Sequence, residues 1–162
     1  MRAVPIFQLP MLPERLSNNL CSLVPDQDRP AFTAILEFDQ QGRRIGTKFT
    51  RSMIRSYQRF TYEAVHQAVY LREKEARREY KSFLPMLEKA KDLADLLNKQ
   101  RMQRGALGFT VPESNIELAG DTVGSVTRLK RNQAHLLIEE FMLAANEAVG
   151  ETLDRTGASV LF

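Results

Sequence analysis

The sequence predicts an α+β fold in which antiparallel hairpins pack with helices. Two segments alternate apolar and polar residues on either side of turn residues, as hairpins do, whereas other segments space their apolar residues as helices do. The chain has 162 residues, which suits one hydrophobic core better than two. We therefore expect one domain, or part of one, over residues 1–162.

The first predicted hairpin follows a proline-rich opening. Five prolines between Met1 and Pro30 disfavour long regular elements and favour an extended, turn-rich path. The next run alternates, and its apolar face comprises Phe32, Ala34, Leu36 and Phe38. Turn residues from Asp39 to Gly42 separate it from a second alternating run through Ile45, Thr47, Phe49, Arg51 and Met53.

Helix signals begin at Thr61, a residue type that caps helix N-termini, so Tyr62 is expected in the first turn. A second helix is predicted from Pro85, which is favoured at a first helical position, to Gly105, which readily ends a helix. Its inward positions are Leu87, Leu93, Leu96 and Leu97.

The last two predicted elements are a second hairpin and a long helix. The hairpin is expected around Gly120 and Asp121, with apolar positions at Ile116, Leu118, Val123 and Val126. The helix is expected over Arg131–Gly150, which reads RNQAHLLIEEFMLAANEAVG.

The composition excludes several classes of protein. A single cysteine, Cys21, rules out an internal disulfide framework and favours a reducing cytoplasm; we interpret it as a small buried side chain. Only two histidines accompany it, so a His/Cys metal cluster is not expected. No apolar run is long enough to cross a bilayer, so we expect no membrane partner. The net charge of +3 permits a nucleic-acid partner without requiring one.

A basic and aromatic run extends from Gln40 to Phe60 and contains no acidic residue. Its cations are Arg43, Arg44, Lys48, Arg51, Arg55 and Arg59, and its aromatic residues include Phe49, Tyr57 and Phe60. Cations neutralise phosphates and aromatic rings stack on unpaired bases, so this mixture suits single-stranded nucleic acid. The alternative is a solvated basic strand edge that discourages pairing with another strand.

The predicted last helix carries a polar stripe on an otherwise apolar surface, formed by His135, Glu139, Met142 and Asn146. We expect such a helix to be buried on several sides, so that its stripe meets water, a polar partner or a cleft. One interpretation is an ordinary solvated stripe in which Glu140 pairs with an Arg or Lys. The other is a carboxylate that is presented to a ligand hydroxyl.

Four spaced motifs resemble successive motifs of the RNB family, which includes bacterial ribonucleases R and II. They are PMLPERLSNNLCSLVPDQDRPAF (10–32), IRSYQRFTYEAV (54–65), RGALGF (104–109) and AHLLIEEFMLAANEAV (134–149). The similarity covers nearly the whole chain in the expected order. It implies part of an RNB catalytic domain from a hydrolytic exoribonuclease that degrades RNA from its 3′ end, with single-stranded RNA as partner and Mg²⁺ as cofactor.

The resemblance assigns roles to individual residues. Tyr62 and Glu139 match a tyrosine and the first glutamate of an EE pair, which in the family contact the ribose near the 3′ end and help to select RNA over DNA. Phe109 resembles the aromatic residue that stacks on the terminal base; its usual opposing tyrosine is replaced here by Ala3. We add three cations of the basic run as RNA-binding candidates: Arg51, Arg55 and Arg59.

The resemblance does not extend to the residues that form the family's metal centre. Its Mg²⁺-binding aspartates lie upstream of the PMLP motif, in a segment that this chain does not contain, and its downstream catalytic arginine motif and its flanking cold-shock and S1-type barrel domains are also missing. Asp26 and Asp28 are interpreted as turn residues. We therefore expect a partial RNB domain with no catalytic or metal-binding residues, inactive by itself.

Two alternatives belong to other functional classes. The chain could be a non-enzymatic module that binds single-stranded RNA, or a truncated remnant with no independent role. Salt-dependent RNA affinity would distinguish the first alternative, and weak thermal stability with exposed apolar surface would indicate the second.

Overall fold

The computed structural model describes residues 11–107, 114–119, 122–128 and 131–157, and they form the predicted α+β fold. We number the elements in chain order as β1 (Asp28–Phe38), β2 (Arg44–Arg55), α1 (Tyr62–Val65), α2 (Lys74–Glu79), α3 (Leu84–Gln103), β3 (Ser114–Ala119), β4 (Thr122–Arg128) and α4 (Gln133–Arg155). Two π-helical turns, Leu16–Leu20 and His66–Tyr70, complete the order. The two hairpins are separate two-stranded antiparallel sheets.

The first hairpin pairs β1 with β2, as the alternation predicts. Ala34 lies opposite Phe49 in the register, and Phe32 stacks on Phe49 with ring centroids 6.0 Å apart and an interplanar angle of 4°. Strand β1 begins two residues before Pro30, so the irregular opening is shorter than predicted. A proline is tolerated there because each strand of a two-stranded sheet has an edge that needs no partner.

The turn of this hairpin is docked against α3. Gly42 is buried and has a φ of +80°, a backbone conformation that L side chains rarely adopt. A Cβ atom on Gly42 would lie 2.7 Å from Cγ of Leu96. Next to it, Gln100 donates a hydrogen bond of 2.7 Å from Nε2 to the carbonyl oxygen of Gln41.

The predicted start of the first helix is confirmed, because Thr61 accepts a 3.2 Å hydrogen bond from the backbone N–H of Ala64. The helix is only four residues long and continues as the π-helical turn His66–Tyr70. A small core lies below it, formed by Ala68, Val69, Ala76 and Leu87.

Helices α3 and α4 pack against each other and confirm the two longer predictions. Pro85 lies in the first turn of α3, and Gly105, with a φ of +93°, follows its end. Asn132 caps α4, which extends beyond the predicted Gly150 to Arg155. No helix in the described ranges is both long enough and apolar enough to cross a membrane.

The prediction that α4 is buried on several sides is wrong. Four of its large apolar side chains outside the predicted stripe are exposed: Leu136, Ile138, Val149 and Leu153. The helix packs through a few residues instead, among which Ala134, Leu137 and Ala148 are buried.

Cys21 is exposed, not buried, because it follows the short π-helical turn at the surface. The second hairpin is confirmed, with Ile116 opposite Val126.

Candidate nucleic-acid interface

Tyr62 and His135 form the central contact of the candidate site. Thr61 fixes the start of α1, so Tyr62 projects from its first turn. Its ring lies parallel to the imidazole of His135, with ring centroids 3.9 Å apart and an interplanar angle of 19°. Tyr62 remains 46% exposed, so a considerable part of the side chain is accessible to a ligand.

His135 is held in turn by Asn132, the residue that caps α4. Nδ1 of His135 lies 3.2 Å from the backbone N of Asn132 and 2.9 Å from Oδ1 of Asn132. Nδ2 of Asn132 donates a weaker hydrogen bond of 3.4 Å to Glu63, the neighbour of Tyr62. The beginnings of α1 and α4 are therefore joined by two adjacent side-chain contacts.

Glu139 lies one helical turn after His135, on the same face of α4. Its side chain is 40% exposed, and one carboxylate oxygen is 3.6 Å from Nη1 of Arg131. A half-exposed carboxylate can accept a hydrogen bond from a hydroxyl group without first being removed from a low-dielectric interior. Tyr62 and Glu139 are thus related through His135, on which Tyr62 stacks and which precedes Glu139 by one turn of the same helix.

Glu140 is a structural residue, although it adjoins Glu139 in the sequence. It is 4% exposed and accepts hydrogen bonds from Nδ2 of Asn98 at 2.7 Å and from Nη2 of Arg101 at 2.6 Å. Burial acts to raise the pKa of Glu140, but the hydrogen bonds from Arg101 and Asn98 outweigh it, so the pKa lies below its ordinary value. The expected pairing of Glu140 with an arginine is confirmed, but the pair is largely buried and not on a solvated stripe.

The basic run divides into paired and exposed cations. Arg55 donates a 2.7 Å hydrogen bond from Nε to Asp28, and this bond lowers the pKa of Asp28 and raises the pKa of Arg55. Arg51 and Arg59 are exposed, and neither forms an ion pair with the residues that the structure describes. They are the candidates of this run whose charge is still available to a phosphate.

Three aromatic residues of this run contact other rings, and Tyr57, which contacts Phe83, is the most exposed of them. Phe60 contacts Phe83 and Tyr80, with ring centroids 5.1 and 5.4 Å apart, and belongs to the rim of the small core. Phe49 stacks on Phe32. The idea that these rings stack on bases is therefore wrong for Phe60, because burying a large apolar ring in the core is more favourable than exposing it.

The structure brings together only some of the predicted residues. Tyr62 stacks on His135, and Glu139 follows His135 by one turn of α4. Among the described residues, no hydrogen bond or ion pair joins Arg51, Arg55 or Arg59 to this group, and Phe109 lies outside the described ranges. His135 and Arg101 were missed as partners, although the position of His135 one turn before Glu139 was a usable signal.

The described residues do not fit the Mg²⁺ centre that the resemblance implies. Among them, no three Asp, Glu, His or Cys side chains are grouped so that they could hold a metal ion. Asp26 has a φ of +58° and is a turn residue as predicted, whereas Asp28 lies in β1 and pairs with Arg55. The prediction that Asp28 is a turn residue is therefore wrong, because its carboxylate serves the strand pairing.

A cavity of about 390 Å³ lies between the turn of the first hairpin and the helices α3 and α4. The charges around it are paired within the chain: Arg44 with Glu151, Arg101 with Glu140, and Arg104 with Glu147. Compensated charges create little net field for a phosphate. We therefore place the candidate interface at Tyr62, His135 and Glu139 and not at this cavity.

Comparison with known proteins gives a consistent result. The family model described as RNB domain matches residues 3–162. Ribonuclease R of Thermotoga maritima is 36% identical over 157 residues, which cover 95% of this chain and 22% of that protein. Ribonuclease R of Escherichia coli is 34% identical over 155 residues, which cover 95% of this chain and 19% of that protein. The chain therefore spans about a fifth of the length of these relatives.

Solved structures show the same relationship. RNase R of Mycoplasma genitalium in complex with ribose methylated single-stranded RNA matches with a TM-score of 0.77 and 32% identity, over 91% of this chain and 23% of that one. The same enzyme in complex with double-stranded RNA gives a TM-score of 0.78 over 93% of this chain and 26% of that one.

Proposed function

Because this chain belongs to the RNB domain family, we propose that it carries part of the RNA channel of a 3′ to 5′ exoribonuclease. The observation that supports the proposal most strongly is the stacking of Tyr62 on His135, one helical turn from Glu139. This arrangement links a partly exposed phenol and a half-exposed carboxylate through one imidazole on α4. Two RNase R structures that resemble this chain contain RNA.

The chemistry of this pair suits a ribose. A 2′-hydroxyl both donates and accepts hydrogen bonds, so a carboxylate can accept from it while a phenol donates to it. DNA lacks the hydroxyl and would leave both groups without that partner. Arg51 and Arg59 would contribute attraction to the phosphates, which is independent of sequence and sensitive to salt, whereas the ion pair with Asp28 reduces what Arg55 could contribute. Phe109 is proposed to stack on the terminal base.

Binding of matched oligonucleotides tests the proposal directly. The purified chain is titrated with a fluorescein-labelled single-stranded RNA and with DNA of the same sequence, at several salt concentrations. We expect tighter binding of RNA and an affinity that falls as salt rises. Equal affinities for RNA and DNA would refute the ribose assignment, and no binding at low salt would refute the proposal as a whole.

Substitutions with matched controls test the two residues. Glu139→Gln should lower the ratio of RNA to DNA affinity by about tenfold, since a hydrogen bond to a charged group contributes about 1.5 kcal/mol or more. Glu147→Gln is the control, because Glu147 is a similarly exposed carboxylate on α4 that pairs with Arg104. Tyr62→Phe should also lower the ratio of RNA to DNA affinity. Tyr80→Phe is the control, because it removes the hydroxyl group of a ring that packs against Phe60, and it should leave the ratio unchanged.

We further propose that the chain alone does not hydrolyse RNA. Clustered carboxylates are needed to hold the ions and direct the attacking water, and the described residues offer no such group. Incubation of the purified chain with RNA and Mg²⁺ should release no nucleoside monophosphates. Release that is abolished by EDTA and absent from a Tyr62→Ala, Glu139→Ala preparation would overturn this part of the proposal while leaving RNA binding intact.

A further inference from the structure

The phenol of Tyr62 needs a support if it is to recognise a ribose reproducibly. Tyr62 lies in the first turn of a helix of only four residues and is nearly half exposed. An exposed side chain at a helix end ordinarily samples several rotamers, and fixing it costs entropy when a ligand binds. The parallel imidazole at 3.9 Å covers one side of the ring and restricts this sampling.

Asn132 can hold the imidazole of His135 whether or not Nδ1 carries the proton. If Nδ1 of His135 carries no proton, it accepts from the backbone N–H of Asn132 at 3.2 Å. If Nδ1 carries the proton, it donates to Oδ1 of Asn132 at 2.9 Å. Asn132 is anchored at the start of α4, where its Oδ1 also accepts from the backbone N–H of Ala134 at 3.1 Å. The ring plane is therefore fixed relative to α4, which also carries Glu139.

We propose that His135 is a positioning residue for Tyr62, supplying a fixed ring that orients the phenol toward a ribose held beside Glu139. The proposal rests on the proposed function for its biological meaning, but its structural part does not depend on RNA. It gives His135 two separable roles. The nitrogen completes the cap of α4, and the ring supports Tyr62.

Two substitutions separate these roles. His135→Gln removes the ring but keeps a side-chain acceptor at the third helical position, where glutamine completes capping boxes. His135→Phe keeps a ring of similar shape but removes the nitrogen. We expect His135→Gln to lower the ratio of RNA to DNA affinity by roughly twofold to tenfold with an unchanged melting temperature. We expect His135→Phe to keep most of the RNA preference and to lower the melting temperature.

The reverse pattern, with RNA preference retained in His135→Gln and lost in His135→Phe, would show that His135 is only a helix cap and would overturn the proposal. If the wild-type chain binds RNA and DNA equally, the proposed function fails, and a second measurement still decides the structural part. The chain is labelled with ¹³C-tyrosine, and Tyr62→Phe assigns the Tyr62 signals. We expect His135→Gln to shift these signals by removing the ring current of the imidazole; unshifted signals would overturn the positioning role without reference to RNA.

Discussion

Substituting alanine for either of the two adjacent glutamates of α4 should affect a different property of the chain. Glu140→Ala is expected to destabilise the fold, whereas Glu139→Ala is expected to weaken discrimination between RNA and DNA while the fold stays intact. Both changes remove a glutamate from the middle of one helix, so helix propensity contributes about equally to both. The comparison therefore isolates the surroundings of each side chain.

The expected cost of Glu140→Ala follows from its contacts. The substitution removes the acceptor of three hydrogen bonds, one from Asn98 and two from Arg101. Removing one partner of a buried ion pair costs 3–5 kcal/mol, because the other charge is left buried without compensation. The side chain of Arg101 is 22% exposed and can gain some hydration, so we expect about 3 kcal/mol, near the lower end of that range.

Chemical and thermal unfolding, followed by circular dichroism, measures this cost. For a chain of this size, about 3 kcal/mol corresponds to a fall in melting temperature of roughly 6–12 °C. Glu139→Ala should change the free energy of unfolding by roughly 0.5 kcal/mol or less, because Glu139 and Arg131 form an ion pair that is 40% and 50% exposed. If the free energy of unfolding of Glu140→Ala lies within about 1 kcal/mol of the wild-type value, the ion pair between Arg101 and Glu140 does not stabilise the packing of α3 against α4, and the reasoning is wrong.

The same ion pair predicts how stability depends on pH. The pKa of Glu140 is lower in the folded chain than its ordinary value. A carboxyl group with a depressed pKa contributes stability that is complete above its unfolded pKa, about 4.3, and is lost as the pH falls through the folded pKa. We therefore expect the wild type to lose stability below about pH 4, and Glu140→Ala to lose less over the same range. Parallel pH profiles for the two proteins would contradict the assignment.

Three further predictions concern other parts of the chain. Gly42→Ala should lower the free energy of unfolding, measured in urea, by more than about 1 kcal/mol and by more than Gly105→Ala does. Both glycines have a positive φ, but only a Cβ atom on Gly42 would meet Leu96. Equal effects of the two substitutions would refute the steric part of the reasoning. Arg59→Gln should reduce the slope of log affinity against log salt for single-stranded RNA by about 0.7, and an unchanged slope would remove Arg59 from the interface. Asn132→Ala should cost 0.5–2 kcal/mol of stability and also lower the RNA preference, since it removes both the cap of α4 and part of the hold on His135; loss of stability with a full RNA preference would separate the two.

Patterns that depend on neighbouring residues predicted the fold well. The cap at Thr61, the proline at the start of α3 and the glycine after its end are local signals, and all three appear in the structure. The antiparallel pairing of the first hairpin is also as its alternation predicted. Local signals could not reveal that α1 is interrupted by a π-helical turn after four residues, because that irregularity depends on packing against elements far along the chain.

The sequence suggested candidate site residues, but it did not indicate which contacts they would form. Glu139 and Tyr62 were identified by resemblance, but nothing in the spacing of EE indicates which glutamate turns toward α3. The sequence separation of Glu140 from Arg101 is 39 residues, so this pair exists only once the helices have packed. The exposure of Leu136 and Ile138 was missed for the same reason, because an apolar face is a necessary and not a sufficient condition for burial.

The order EE has a physical consequence for the proposed RNA channel. Successive residues of a helix differ in direction by about 100°, so Glu140 can bind α3 while Glu139 stays on the face that carries His135. The residue that ties α4 to α3 and the residue that we propose to contact the ribose are thus neighbours on one rigid element. Because Tyr62 stacks on His135 of α4, a substitution that loosens the contact between α3 and α4 should leave the position of Glu139 relative to Tyr62 unchanged. We therefore expect Glu140→Ala to retain its RNA preference at a temperature where the variant is still folded, and loss of that preference would contradict this reasoning.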